Sequence, residues 1–420
     1  MTLTLTPHEQ GMLDGAHGAA TRLAMSIIVR MARFLDAPRL LPISRAHIDS
    51  SLYHGDAGLE FAERLASLNA RVCVPTTLNV SGVDEHGWRD WAVPPAWANA
   101  ARRQMVAYES MGCRPTWTCA PYQVAERPQF GEQIAWGESS AIVFANSVLG
   151  ARTARYPDLM DICAAITGRV PEAGLHLTHN RAGQLVLDLA DVSAEIQNDP
   201  TFYVVLGTLL GKLAGNDVPV VTNFVGSPTE DDLKALGAAS ASAGAVALYH
   251  IVGVTPEAPT LEAALQGKTD ARTVRVTRKM VREAWRLLTK AADDALDMVV
   301  LGSPHFSLAE FKQLAPLVAG KRKHPDVEFL VTSSRAMTAL AHKAGLLEPI
   351  RAFGAKISLD TCILVSPMLP ERVRRLMTNS GKYAYYAPGL LNTEITFGSL
   401  TDCVASAEAG RVVRDESLWT

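Results

Sequence analysis

The stretch RKMVREAWRLLTKAADDALDMVVLGSPHFSLAEFKQLAPLVAGKRKHPDVEFLVTSS, Arg278 to Ser334, decides the fold class. Arg278 to Leu296 reads as a helix and DMVVLGSPH as a buried strand. SLAEFKQLAPLVAG reads as a second helix, and VEFLVTSS as a second strand. A strand that returns through a helix to another strand pairs with it in parallel, so this region predicts α/β layers with largely parallel sheets.

The same alternation recurs upstream. Leu23, Ile27, Met31 and Leu35 repeat every four residues, with Ile28 on the same stripe, and predict a helix from Ala19 to Leu35. HGDAGLEFAERLASLNARVCVPTT predicts a turn, a helix over Ala57–Leu68 capped by Asp56, and a strand at RVCVPTT. PPAWANAARRQMVAYESMG, DLMDICAAITG and FYVVLGTLLGKLAG predict further helices; VPVVTNF and AVALYHIVGV predict strands. A fresh β-α-β-α series begins near Leu296, which divides the chain into regions 1–290 and 291–420.

Composition excludes several classes. With 420 residues, 48% hydrophobic and 20% charged, the chain has ordinary globular usage. A formal net charge of −3 and the lack of a basic stripe argue against a nucleic-acid surface. GKRKHP, Gly320 to Pro325, reads as a solvated turn. No apolar run reaches the roughly 18 residues of a membrane span, and the N-terminus lacks a secretory pattern. The expected location is therefore cytoplasmic. Phosphate-loop, HExxH, GxSxG and GxGxxG signatures are absent, which leaves ATP hydrolysis, zinc proteolysis and α/β-hydrolase chemistry without support.

Small polar clusters remain, expected on loops beyond the strands' carboxyl ends, where α/β folds gather ligands. YHGDAG offers Gly55 and Asp56, or simply a capped turn. PTTLN offers Thr76, Thr77 and Asn79 as uncharged hydrogen-bonders, or an ordinary Thr turn. GEQIAWGESSAIVFANSVLGARTAR sets Glu138, Ser139, Asn146 and Arg152 in an otherwise apolar run. Buried polar groups cost free energy unless paired, so these suggest a pocket wall. LGSPHFS offers Ser303 and His305. Trp88, Trp91, Trp97, Trp117 and Trp136 crowd one span and serve a core, a pocket rim or an interface.

The six cysteines form no CxxC pair, which argues against zinc ribbons and thioredoxin-type sites. Cys73 and Cys163 lie in apolar segments and read as buried packing residues. Cys113 and Cys119, in MGCRPTWTCAPY, and Cys362, in LDTCILV, sit in polar, turn-like surroundings. A disulfide does not suit a reducing compartment. Iron–sulfur ligation and plain packing both remain open.

Several of these segments together resemble the aconitase X family. They are HGDAGLEFAERLASLNARVCVPTTLNV, MGCRPTWTCAPY, GEQIAWGESSAIVFANSVLGARTAR, DICAAITGR, GSPHFSL, DTC and NSGKYAYYAPG, in family order from His54 to Gly389. The resemblance implies a hydro-lyase with layered α/β/α domains, in which 291–420 completes the site of an iron–sulfur cluster acting as Lewis acid. It implies Cys119, Cys362 and Cys113 as metal ligands and Glu138, His305 and Ser303 as catalytic residues. Substrate contacts would come from Gly55, Asp56, Thr76, Thr77, Asn79, Ser139, Asn146 and Arg152.

Many relatives read GCPH where this chain has Ser303. That departure favours a [2Fe–2S] cluster over [3Fe–4S] or [4Fe–4S]. The resemblance also implies a small swivelling domain, fused or on a separate chain, which would bring the general base; a separate small subunit is expected here. Two substrates are associated with the family: cis-3-hydroxy-L-proline, dehydrated to Δ1-pyrroline-2-carboxylate, and mevalonate 5-phosphate. A phosphate calls for clustered Arg and Lys, whereas the polar clusters here carry mainly Thr, Asn, Ser and Glu. The hydroxyproline is therefore favoured, with Glu138 or Asp56 as partner for its ammonium. An RNA-binding regulatory role, open to cluster-free aconitase relatives, meets an acidic chain.

Overall fold

The computed structural model describes residues 3–124 and 126–419. The stripe from Leu23 to Leu35 forms the helix Ala19–Phe34, which buries Ala24, Met25, Ile28 and Ala32. The large side chains among them, Met25 and Ile28, each contribute about 1.5–3 kcal/mol by burial. The helices Pro95–Ser110, Met160–Thr167, Pro200–Ala214 and Leu308–Val318 also form where the pattern places them, and Arg278–Leu287 begins where it does. No described helix is long and apolar enough to cross a membrane.

Among the described residues four sheets form, three of them wholly parallel. In the five-stranded sheet the order is Lys356–Leu359, Glu328–Ser333, Met298–Phe306, Arg375–Thr378, Glu394–Phe397. A three-stranded sheet runs Thr76–Leu78, Ala46–Ile48, Ala135–Trp136. A four-stranded sheet runs His250–Ile251, Pro219–Thr222, Leu185–Asp188, Arg272–Arg275. Leu40–Pro42 and Arg169–Pro171 make an antiparallel pair. The layered α/β architecture expected from the opening stretch is the one observed.

Several local expectations are corrected. The helix after Arg278 ends at Leu287 rather than near Leu296, because Lys290 and Ala291 turn their N–H groups to the Ile395 carbonyl at 2.7 and 3.1 Å. Asp56 is the first residue of its helix, Asp56–Ser67, and the cap position belongs to Gly55, whose φ of 134° suits glycine. RVCV is not a strand; the strand is Thr76–Leu78 itself. Cys73 is consequently exposed, whereas Cys163 is buried. AVALYHIVGV yields only His250–Ile251. Of the clustered tryptophans, Trp88, Trp117 and Trp136 are core residues.

The three-stranded and five-stranded sheets are tied together at their carboxyl ends. Ser81 N–H donates to the Asp360 carbonyl at 2.7 Å, and Leu359 N–H donates to Asp84 Oδ2 at 3.0 Å. Arg335 grips Asp360 through Nε at 2.8 Å and reaches Glu85 at 3.0 Å. These bonds bring two sets of strand ends to one crevice.

Candidate active site

In a parallel sheet, side chains gather where neighbouring strands leave in opposite directions. In the three-stranded sheet that point lies between Ala46–Ile48 and Ala135–Trp136, and the residues just beyond are Asp49 and Glu138. In the five-stranded sheet it lies between Met298–Phe306 and Arg375–Thr378. There stand Ser303, His305 and the start of the helix Gly381–Leu391, capped by Ser380.

Lys382 and Glu138 join the two switch points. Lys382 Nζ is 2.5 Å from Glu138 Oε1, with both side chains largely buried. Glu138 also caps the helix Ser139–Phe144, accepting from Ala141 N–H at 2.7 Å, and Ser139 Oγ donates to it at 3.3 Å. Burial pushes the Glu138 carboxyl up. The Lys382 ammonium and the capping N–H groups outweigh that and hold it below the usual range. Burial pushes Lys382 down, but the ionised Glu138 more than offsets it and keeps the ammonium charged.

Cys119 and Cys362 are buried beside this pair. Burial, reinforced by Glu138, pushes the Cys119 thiol up to about 12, while Lys382 and the His305 N–H act the other way. His305 fastens the two cysteine loops together. Its backbone N–H donates to Cys119 Sγ at 3.2 Å, and its ring nitrogens lie 3.2 Å from Thr118 Oγ1 and from the Thr361 carbonyl. A carbonyl only accepts, so Nε2 carries the proton and Nδ1 accepts from the Thr118 hydroxyl. Burial lowers the imidazole to about 4, so this ring is neutral.

The remaining candidates divide. Asn79 lies at the crevice, its amide donating to Asp49 Oδ1. Thr76 is bonded to the Val74 carbonyl at 2.8 Å, and Thr77 lies 2.8 Å from His47 Nδ1. Both threonines line a small pocket with Arg45 and Arg114. Gly55 and the exposed Asp56 start a surface helix, where Tyr53 Oη donates to Asp56 at 3.3 Å. Asn146 and Arg152 join a different network, around the buried Arg181 and around Thr178. Ser303 lines a cavity of about 450 Å³ with Lys234, Glu310 and Ser380. Cys113 is buried with Asp161 as its charged neighbour, and its N–H donates to the Tyr108 carbonyl.

Three family models match consecutive parts of the chain: Aconitase X first domain at residues 2–179, second domain at 183–286 and third domain at 296–409. The chain belongs to the aconitase X family. It is therefore an enzyme of the dehydratase (hydro-lyase) class. A cis-3-hydroxy-L-proline dehydratase of Pseudomonas aeruginosa is 48% identical over 99% of this chain and 72% of its own length. One from Hypocrea jecorina is 44% identical over 97% of this chain and 69% of its length. A phosphomevalonate dehydratase large subunit of Thermococcus kodakarensis is 39% identical over 91% of this chain and 94% of its own. The crystal structure of Thermococcus kodakaraensis aconitase X in its holo-form superposes with a TM-score of 0.86. It shares 36% identity and covers 96% of this chain and 100% of that one.

For this aconitase X chain, the donor set at the crevice is two soft sulfurs, Cys119 and Cys362, beside a buried cation. Among the described residues no group of three or more His, Cys, Asp or Glu is arranged to hold a metal ion. Two sulfurs are donors of the kind that hold iron–sulfur clusters, and Cys119 and Cys362 are the residues here that could do so. Tyr122 Oη, Ser140 Oγ and Thr361 Oγ1 are buried without hydrogen-bond partners among the described residues. Tyr122 lies in the electrostatic reach of Cys119 and Glu138. Such orphaned polar atoms suit a crevice built for a polar ligand.

Reading the sequence missed Lys382 and Asp49. Lys382 carried a signal: a cation in the first turn of a helix opposes the helix dipole and calls for a nearby carboxylate. Asp49 carried only its place directly after the short apolar strand Ala46–Ile48.

Proposed function

We propose that this chain is the large subunit of a cis-3-hydroxy-L-proline dehydratase that forms Δ1-pyrroline-2-carboxylate, working with a small swivelling subunit. The observation that carries the substrate choice is the Glu138–Lys382 pair. The cation beside the two cysteines is already neutralised by a buried carboxylate, which favours a small amino acid over a phosphate. The 48% and 44% identities to two hydroxyproline dehydratases point the same way. Relatives named large subunits support a partner.

Lys382 has three N–H donors and gives one to Glu138. The others are available to the substrate carboxylate, where charge builds as the C2 proton leaves. Glu138 holds the ammonium in place and stays ionised. His305 keeps the Cys119 and Cys362 loops at fixed separation. An iron–sulfur cluster held by those two cysteines would supply a Lewis acid for the departing 3-hydroxyl. The base comes from the small subunit, and the enamine product tautomerises to the cyclic imine.

Assay of the iron-loaded chain with its small subunit tests the reading. Consumption of cis-3-hydroxy-L-proline with formation of the imine is the expected result. Turnover of mevalonate 5-phosphate instead would overturn it.

A further inference from the structure

Three carboxylates stand at the carboxyl end of the three-stranded sheet, and their partners differ. Asp161 is saturated. It accepts from Asp49 N–H at 2.6 Å, Ser50 N–H at 3.0 Å, Ser50 Oγ at 2.6 Å and Ile162 N–H at 2.7 Å. It is a fastener for the strand end. Glu138 is occupied by Lys382 and by its capping bonds. Asp49 accepts one bond, from the Asn79 amide to Oδ1, and Oδ2 has no partner among the described residues.

We propose that Asp49 receives the ammonium group of the substrate and so makes the site selective for an amino acid. This rests on the amino-acid reading given above and names the residue that would enforce it.

Charge balance supports the assignment. Burial and the negative charges of Glu138, Asp161 and Asp158 push the Asp49 carboxyl up to about 7, against the opposing pull of Lys382. A cation at Oδ2 relieves that repulsion, and a phosphate there would add to it. Asn79 supplies a second acceptor. It is 2% exposed, and its Oδ1 is buried with no hydrogen-bond partner among the described residues. The amide orientation follows from the network, because a carboxylate can only accept from Nδ2. A pyrrolidinium nitrogen carries two N–H donors, the number these two free oxygens can take. Gly137 permits the arrangement. A Cβ there would come within 2.9 Å of Asp49 Cβ and 2.8 Å of Asp161 Oδ2, so only glycine lets Glu138 close beside Asp49.

The test is calorimetric binding to the holoenzyme with its small subunit. One probe is L-proline, and the other is (S)-tetrahydrofuran-2-carboxylate, the same ring with oxygen in place of the amine. Asp49→Asn keeps an acceptor for Asn79 and removes the charge. The expected result is about a tenfold or greater loss of L-proline affinity in Asp49→Asn, with binding of the ether unchanged. Equal L-proline affinity in wild type and variant would overturn the proposal. So would a parallel loss of both ligands, which would mark Asp49 as structural. Should the variant not fold, wild type decides alone: no preference for the amine over the ether overturns the proposal. Failure of wild type to bind L-proline at all would instead remove the amino-acid reading, and this assignment with it.

Discussion

Lys382 Nζ lies 2.5 Å from Glu138 Oε1 and links the helix Gly381–Leu391 to the cap of the helix Ser139–Phe144. The two residues are far apart in the chain and come from different sheets' switch points. The ion pair is therefore both a clasp between regions and the electrostatic centre of the crevice.

Lys382→Met leaves Glu138 buried without its cation. Breaking a buried pair on one side costs about 3–5 kcal/mol, and loss of a donor aimed at developing charge lowers turnover about a hundredfold or more. Glu138→Gln should act in the same direction. The double variant Lys382→Met, Glu138→Gln should recover much of the stability in denaturant unfolding while staying inactive. A double variant with near wild-type turnover would show the pair to be a clasp alone.

Cys119→Ala and Cys362→Ala should each lose iron and visible absorption, since each removes one of the two sulfurs at the crevice. Cys113→Ala should keep both, because its thiol is buried beside Asp161 rather than Lys382. A small core truncation there costs about 1 kcal/mol. Iron and sulfide analysis of anaerobically purified protein separates the cases. Iron loss in Cys113→Ala alone would reverse the assignment.

Acid should destabilise the fold through its buried imidazoles. Burial lowers His47 to about 4, partly countered by Glu138, and lowers His176 to about 3, reinforced by Arg181 and Arg152. Both are neutral in the native state and protonate in the unfolded chain near pH ~6.5. Their stabilisation is complete above that value and is lost as the pH falls toward 4 and 3. The slope approaches about 1.4 kcal/mol per pH unit for each. Denaturant midpoints between pH 7 and 5 should fall for wild type and fall less steeply for His176→Gln. An unchanged slope in the variant would contradict the assigned protonation state.

Much of the fold was legible because hydrophobic period is local. The alternation from Arg278 to Ser334 gave the central strands Met298–Phe306 and Glu328–Ser333 of the five-stranded sheet directly. It overran beyond Leu287, where the Lys290 and Ala291 N–H groups find the Ile395 carbonyl, about a hundred residues away and invisible to any period. The candidate site was legible in part. Glu138, Cys119, Cys362 and His305 stood out as polar or thiol groups in special settings, and the fold brings them together. Cys113 shares Cys119's loop yet is buried near Asp161, because residues close in sequence need not face the same cavity. Asp49 becomes a candidate only once strand order shows a switch point beside it.

Asn146 illustrates a polar residue in an apolar run that is fully employed elsewhere. Its amide donates to the Thr153 and Ala247 carbonyls at 3.0 and 2.9 Å, and its Oδ1 accepts from Thr153 N–H and Arg181 Nη1, both at 3.1 Å. Arg181 is itself fully buried and paired with Glu257. Asn146→Ala strands several of these groups together, and each orphaned buried group costs about 1–3 kcal/mol. We expect a loss of about 3 kcal/mol in denaturant unfolding, with KM of the folded enzyme changed less than about threefold. Unchanged stability with a KM raised tenfold would instead make Asn146 a substrate contact.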